Sequence, residues 1–372
     1  MRMSKKRVLI LGGTGAMGTH LQRLLAQEYD LTVTSRKKRE STSEVTFVKG
    51  NAKDLSFLTE ILKNKWDVIV DFMVYSTQQF QERAQLFLKS TDQYVFLSSA
   101  RVYADQGMQA ITEKSERLLD VVQDKEYLAT DEYALSKARQ EDVLISSQKN
   151  NWTIVRPSLT YNTEKLQLGA YEKENWLYRA LNHRTIVFSE DLLDVFCTMT
   201  LGDDVAEGIA AIIGNGTALG EIYHIVGQSP IKWSGVLECY LSVLEQRMGT
   251  RPKVVMTEKC TNLKLPSSSY KLKYGRYFNR VFDNSKINGM IDTSSWVEAK
   301  EGLTRCLNEF LDSPRFSKIN WSKEALIDQA AKERTPLSQI KGAYNKFTYV
   351  CYRYHLSFLC TFVDKLIKLK KK

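Results

Sequence analysis

The chain is poor in the residues and patterns that would fix its chemistry at a glance. Its four histidines, His20, His183, His224 and His355, are scattered too widely to suggest a metal site. Its six cysteines, Cys197, Cys239, Cys260, Cys306, Cys351 and Cys360, make no Cys-x-x-Cys pair and no metal spacing, so no metal is expected. They read as the reduced thiols of a cytoplasmic protein. No long hydrophobic run follows the basic start "MRMSKKR": the apolar stretch is only Val8 to Leu11, too short for a signal peptide or a membrane span. There is no low-complexity tract and no repeat of fixed period. Acid is scarce relative to base, 43 residues against 53, giving a net charge of +10. That balance suits nucleic acid, an anionic membrane or phosphorylated small molecules. The base is concentrated in "RKKR", Arg36 to Arg39, and in the tail "KLIKLKKK", Lys365 to Lys372, while Thr112 to Asp142 is rich in acid.

Length and apolar content, 372 residues and 43%, predict two domains or one large domain with an appendage. The first 160 residues alternate short apolar runs with helix-like segments. "RVLILGG", "LTVTS", "VTFVKGN", "WDVIVDFMV", "QYVFLSS" and "WTIVRP" read as strands, with a helix over Thr19 to Gln27 and another at Tyr133. Apolar strands separated by helices predict a parallel sheet covered on both faces, a doubly wound α/β (Rossmann) fold. After Pro157 the regularity breaks. "TLGDDVAEGIAAIIGN" then reads as a helix and "EIYHIVG" as a strand, so the chain returns to the first domain. The expected division is a dinucleotide-binding domain over 1–165 with 194–227 returning to it, a smaller mixed substrate domain over 166–193 and 228–312, and a helical C-terminal extension over 313–372.

"GGTGAMG" follows the first strand and opens a helix, with Gly12 suited to the tight turn, Gly15 to close approach by a pyrophosphate and Gly18 to close helix–strand packing. A helix N-terminus at this place offers free N–H groups to phosphates. The second strand ends "TVTSRKK", with Ser35 and Arg36 where NAD-binding folds usually carry an acid for the ribose 2′-hydroxyl. An arginine suits a 2′-phosphate, so NADP(H) is expected over NAD(H). Asn51, after the third strand, stands where the adenine ring would lie.

Tyr133 and Lys137 in "YALSK" are four residues apart and leave the same face of a helix. A phenol beside an ammonium is a poor core pair and a serviceable acid–base pair, since the cation favours phenolate. "FLSSARVYA" sets a serine at the carboxyl edge of the sheet, beside the phosphate loop. Together "GGTGAMG", "SSARVY", "YALSK", "VRP" at 155–157 and "GDDVA" at 202–206 resemble the short-chain dehydrogenase/reductase superfamily, in its extended, nucleotide-sugar-modifying branch, over roughly residues 7–310. The resemblance implies Tyr133 as the acid/base, Lys137 as the residue that binds the nicotinamide ribose and lowers the tyrosine pKa, and Ser99 as the hydrogen-bond partner of the reacting oxygen, with Ser98 the near alternative. It implies cofactor contacts from Gly12, Thr14, Gly15, Ala16, Met17, Gly18, Ser35, Arg36, Asn51, Ala52, Phe72, Tyr133, Lys137 and Pro157. Arg156 reads as a structural ion-pair partner, and Asp203 and Asp204 as residues that order a helix start.

Within that branch the neighbours of the serine separate reactions. The similar dehydratases carry Asp-Glu after it and the fucose-synthase type a cysteine; Ala100 and Arg101 follow here, which disfavours both. Net reduction of a ketone by NADPH and 4-epimerisation with retained NAD(P) remain, and Arg36 favours the first. The chain is also similar to reductases and epimerases of bacterial surface-polysaccharide gene clusters, some of which resemble enzymes that reduce a nucleotide-linked ketose to its alditol. Capsule or surface-polysaccharide biosynthesis is the role this implies.

Expected substrate residues are Ser98, Arg101, Tyr161, Asn162, Arg276 and Arg280. The last two lie in "YKLKYGRYFNR", where arginine can clamp a diphosphate and tyrosine can stack on a base; the alternative for this segment is a basic surface hairpin. The run "FTYVCYRYHLSFLC" reads as a helix packed on the body or on a second subunit, or, with the terminal lysines, as a peripheral contact with anionic membrane. The resemblance implies a homodimer through helices beside Tyr133. No nucleic-acid partner is expected, although non-catalytic dinucleotide sensors and RNA-binding relatives in the superfamily form the competing class.

Overall fold

The structure, a computed structural model, describes residues 5–263, 269–360 and 362–363. It divides into two compact units. The first comprises residues up to Asn162, Cys197–Ile231 and Asn279–Gly302. Its centre is a seven-stranded sheet of β1 (Arg7–Leu11), β2 (Asp30–Ser35), β3 (Val45–Lys49), β4 (Trp66–Asp71), β5 (Thr91–Leu97), β6 (Trp152–Pro157) and β7 (Glu221–Ile225). The order across the sheet is β7-β6-β5-β4-β1-β2-β3 and every pairing is parallel. The expected doubly wound α/β architecture is therefore the observed one.

Sidedness follows from the period of a strand, in which alternate side chains face opposite ways. Val8 and Ile10 of β1 join Val33, Val68, Val70, Val95 and Val155 on one face, under Leu21 and Leu25 of α1 (Ala16–Leu25). Leu9 and Leu11 join Ile69, Tyr94, Phe96 and Ile154 on the other, under Leu58 of α2 (Leu55–Ile61), Phe80 and Phe87 of α3 (Thr77–Lys89) and Leu144 of α4 (Tyr133–Ile145). The first face is completed by Val205, Ile209 and Ile212 of α5 (Gly202–Ile212), whose first turn carries Asp203 and Asp204. Burial on both faces explains why these strands read as unbroken apolar runs. Helix starts are signalled locally: Ser76 and Gln79 form a capping box at α3, and Asp54 caps α2.

The strand order reverses between β1 and β4, which places a crevice at their carboxyl ends. The sequences that end there are the glycine turn after β1, Phe72 after β4, Ser98 and Ser99 after β5, and Pro157 at the end of β6.

The second unit comprises Thr163–Phe196, Lys232–Phe278 and the chain from Leu303 onward. It holds a parallel strand pair, Ile186–Ser189 with Val254–Thr257, and helices that include Lys173–Leu181, Trp233–Met248, Trp321–Ala330 and Ala343–Arg353. Arg179 is fully buried here and binds Asp328 at 2.7 Å, Glu324 at 3.1 Å and Glu333 at 2.9 Å. Burial drives Glu324 up to about 7, while the arginines beside it oppose the shift. The segment "YKLKYGRYFNR" is no hairpin: Leu272–Arg276 is a helical turn of π geometry, and Leu272, Tyr274 and Arg276 are buried.

The aromatic run splits into two environments. Tyr349 is buried in the Ala343–Arg353 helix, within a cluster that includes Trp321, Ala325 and Ile340, with Val350 and Tyr352 packed against it. Tyr354, Leu356, Phe358 and Phe362 beyond it are exposed. The basic tail Lys365 to Lys372 lies outside the described residues. Among the described residues no helix is long and apolar enough to cross a membrane.

The Tyr349 hydroxyl donates to Asp328 Oδ2 at 2.6 Å and accepts from the Thr335 amide at 2.8 Å. Tyr349→Phe strips both bonds from a buried site. We expect it to cost about 1–3 kcal/mol, read as a lower urea midpoint at unchanged m-value; an unmoved midpoint would show that this helix does not report on the stability of the second unit.

Candidate active site

The phosphate turn has the shape a dinucleotide needs. Gly12 sits at φ +71°, a region that favours glycine, and a side chain there would meet the Met73 sulfur at 2.7 Å. A Cβ on Gly18 would stand 2.3 Å from the Gly13 carbonyl oxygen, so helix and turn touch backbone to backbone. At Gly15, the N-cap of α1, nothing lies within 4 Å of the same added atom, which leaves the helix start open on that side. A cavity of about 340 Å³ adjoins this turn, lined by Gly12, Thr14, Ser35, Arg36, Asn51, Ala52 and Phe72 among others. These residues fit the adenosine half of a dinucleotide, with the helix start aimed at the phosphates. Arg36 is exposed at the rim, and Met17 packs against the core below the turn.

A second cavity of about 320 Å³ is lined by Lys53, Val74, Tyr75, Ser76, Gln79, Asp131, Tyr133, Ser136 and Lys137. Lys53 and Val74 line both cavities, so the two adjoin. Tyr133 opens α4, and its phenol neighbours the Ser99 side chain. Tyr133 keeps 38% of its surface exposed. Burial raises the phenol pKa, the neighbouring Ser99 hydroxyl and the Arg101 charge oppose that, and Glu132 adds to it. Lys137 is 2% exposed. Its ammonium donates to the Leu97 carbonyl at 2.6 Å and stands 4.5 Å from the centre of the Phe96 ring. Burial lowers its pKa to about 8, against the pull of Asp71 and Glu141. The lysine was expected to be the cation acting on the phenol; here the cation that acts on it is Arg101.

Adjacent serines point to different neighbours, as alternation along an extended chain requires. The Ser99 hydroxyl also accepts from the Arg101 amide at 3.2 Å. Ser98 donates to Glu141 at 2.5 Å. Glu141 in turn holds Arg156 through bonds of 2.9 and 2.7 Å, and Arg117 Nη1 approaches at 3.3 Å. Ser98 thus belongs to a buried ionic network beneath the site, and Arg156 has the ion-pair role expected of it. The other expected substrate residues scatter. Tyr161 is buried in a short strand and Asn162 follows it half-buried. Arg280 donates to the Tyr103 and Ala104 carbonyls at 3.0 and 3.3 Å, a fastening role in the first unit. Arg276 belongs to the second unit, where it donates to Gln167 at 3.2 Å.

Sequence reading passed over two groups. Glu141 stands four residues beyond Lys137, so the spacing Tyr-x-x-x-Lys-x-x-x-Glu marked one helix face. Asp71 ends β4 fully buried, accepting from the Met73 amide and the Tyr94 hydroxyl, both at 2.8 Å. Burial pushes its pKa up to about 6, and Lys137 is among the groups that hold it from rising further.

The turn, the paired cavities and the reversal in strand order define a dinucleotide-binding α/β protein. The model of the NAD dependent epimerase/dehydratase family matches residues 8–225, more than half of the chain. The protein belongs to that family, whose members are NAD-dependent enzymes, so its cofactor is a nicotinamide dinucleotide. A curated plant relative, the chloroplast stem-loop binding protein of 41 kDa b from Arabidopsis thaliana, is 26% identical over 254 residues, 63% of this chain; the match spans only 62% of that protein's length. Among solved structures, the enzyme WbmH of Bordetella bronchiseptica, in complex with NAD+, superposes with a TM-score of 0.64 at 15% identity, covering 83% of this chain and all of that one. The UDP-N-acetylglucosamine 4-epimerase of Methanobrevibacter ruminantium gives 0.63 at 14% identity over 83% and 99%. The dTDP-glucose 4,6-dehydratase of Bacillus anthracis gives 0.61 at 17% over 83% and 97%. At such identities these likenesses speak for the fold.

Asp71 predicts a pH signature. Its folded pKa of about 6 lies above the ordinary 3.8, so the folded state holds the proton more tightly. Its favourable contribution is present at the acid end and is lost as pH rises through about 6. Asp71→Asn should remove that component, so its unfolding temperature should gain on the wild type as pH climbs from 4 to 6.5. Parallel curves would show that Asp71 does not titrate there.

Proposed function

We propose that the protein is an NADP(H)-dependent oxidoreductase acting on a nucleotide-activated sugar, and that it reduces a ketone, such as that of a nucleotide-linked ketose on the way to its alditol. Surface-polysaccharide biosynthesis in the cytoplasm is the setting proposed for it. The observation that carries the reading is the cavity that Tyr133 and buried Lys137 line together, which adjoins the one that fits adenosine. Bound NADPH supplies the hydride for the carbonyl carbon. Tyr133 gives its proton to the carbonyl oxygen as that oxygen gains charge, and solvent later restores the proton. Ser99 donates a hydrogen bond to the same oxygen and steadies it against the phenol. Lys137, which lines the same cavity, bonds the ribose hydroxyls.

The preference for NADP(H) rests on the end of β2, where Arg36 lines the adenosine cavity and no acid follows Ser35. Arg36→Ala should weaken NADPH by about ten-fold or more and leave NADH within about two-fold. Equal losses for both dinucleotides would remove the argument for the phosphate. Gly12, Thr14, Gly15, Ala16, Met17, Gly18, Asn51, Ala52, Phe72 and Pro157 complete the cofactor contacts in this proposal. Asn162 supplies a substrate contact in this proposal.

Two structural neighbours are 4-epimerases, in complexes that include NAD or a UDP-sugar, which favours 4-epimerisation with retained cofactor as the second reading. Epimerisation consumes no net NADPH, so incubation with a mixture of nucleotide sugars decides between the two: stoichiometric loss of nicotinamide fluorescence supports reduction, and isomer formation at constant fluorescence supports epimerisation. RNA binding, by analogy with the name of the plant relative, is the reading from another class. Tyr133→Phe should cut turnover by about 10²–10⁴ with dinucleotide binding retained. Unaltered turnover, or tight stem-loop binding with no sugar chemistry, would sink the enzymatic assignment.

The partners proposed are a homodimer mate packed against α3 and α4, and an anionic membrane surface met by exposed Tyr354, Leu356, Phe358 and Phe362. Equal sedimentation of full-length and tail-deleted protein with anionic vesicles would end the membrane idea.

A further inference from the structure

Arg101 follows the serine pair and stands over the Tyr133 ring, its guanidinium carbon 5.9 Å from the ring centre. Nη1 is anchored to Glu132 Oε1 at 2.8 Å. Glu132 is itself fixed, since Oε2 accepts from the Ala134 amide at 2.8 Å and the Tyr127 hydroxyl at 3.1 Å. The other two guanidinium nitrogens, Nε and Nη2, are buried and have no hydrogen-bond partner among the described residues. A guanidinium does not shed its proton to escape such a place. Its charge is therefore only partly answered, and it sits over the one ring in the site on which negative charge develops during proton transfer.

The turn that carries it ties the parts together. The Arg101 amide donates to the Ser99 hydroxyl, and the Ser99 side chain neighbours the Tyr133 phenol. Lys137 meanwhile is directed to the Leu97 carbonyl and into the field of Asp71. The groups that face Tyr133 are thus Ser99 and Arg101 from the turn after β5 and Glu132 before its own helix, with Lys53, Asp131 and Lys137 along the same cavity.

We infer that Arg101, braced by Glu132, is a positioning residue that stabilises the phenolate left on Tyr133 when its proton passes to the substrate oxygen. The inference rests on the acid role proposed for Tyr133. In the step, the Tyr133 O–H bond breaks, a bond from that proton to the sugar oxygen forms, and the electron pair stays on the phenol under the Arg101 charge.

The test reads the tyrosine itself. In ligand-free protein labelled with 13C at tyrosine Cζ, the resonance missing from Tyr133→Phe is assigned and followed with pH. Arg101→Gln should move its titration midpoint upward, and Arg101→Lys should recover part of the change. Glu132→Gln, which removes the anion and keeps the cation, should move the midpoint downward. Turnover by Arg101→Gln at neutral pH should fall about ten-fold through kcat, with KM little changed. Thermal unfolding identifies the folded variants. An unmoved midpoint in folded Arg101→Gln or folded Arg101→Met overturns the inference, as does an upward shift in Glu132→Gln. If Tyr133→Phe keeps full turnover while Arg101→Gln still shifts the titration, the proposed reaction fails and the arginine's influence on the phenol stands.

Discussion

A buried ammonium is the constraint around which the first unit is arranged. Lys137 is held beneath the cavity by the Leu97 carbonyl, and taking a lysine out of water is costly unless its protons and charge are answered. β5 answers with a carbonyl at its last residue, β4 with Asp71, and the same helix with Glu141 one turn further on. Each answer needs its own support. Asp71 is bonded by Tyr94 and the Met73 amide, and Glu141 is neutralised by Arg156 and Arg117. The chain of dependencies runs from one side chain through three strands and a helix. It places Tyr133, one turn before Lys137, at the carboxyl edge of the sheet, where a doubly wound fold opens its crevice.

That arrangement also separates two jobs a single lysine is expected to do. Held at the strand end, the ammonium lines the second cavity, where the proposed function gives it the ribose hydroxyls. The phenol meets a different environment, a serine hydroxyl below and an arginine over its ring. Burial alone would make Tyr133 a weaker acid, and the opposing contributions come from the short turn after β5. The sequence of that turn, Ser99-Ala100-Arg101, therefore bears on the acidity of the site as well as on which reaction the site favours.

The sheet was legible because its physics is local. Strands buried on both faces must be apolar throughout, so β1, β4, β5 and β6 stood out as runs, and the glycines at 12, 15 and 18 carry a conformation or an approach that other residues resist. Tyr133, Lys137 and a serine were legible as residue types at a spacing, and the choice between Ser98 and Ser99 was not, because it turns on which of them meets Glu141 across 43 residues of chain. Arg280 misled for the same reason: a basic residue in an aromatic run looks like a phosphate clamp until the Tyr103 and Ala104 carbonyls fill its nitrogens. Asp71 looked like the end of a strand, since nothing nearby in sequence says that Tyr94 and Lys137 converge on it. Charge and aromatic content in the last sixty residues were equally ambiguous. Tyr349 is a core residue because of Asp328 and Thr335, and Phe358, nine positions on, is exposed.

The same reasoning weighs the enzymatic reading against a binding-only relative. A protein that only senses a dinucleotide needs the glycine turn and the adenosine cavity, and neither demands an ionisable pair below the second cavity. Burying Lys137 and Asp71 together costs stability that no binding surface at the adenosine end recovers, since each is held away from its ordinary protonation behaviour. Perturbed groups of this kind concentrate where protons move. Here Lys137 shares a cavity with Tyr133, and Asp71 lies within its field, an arrangement that suits the proton donor proposed above better than a passive ligand pocket.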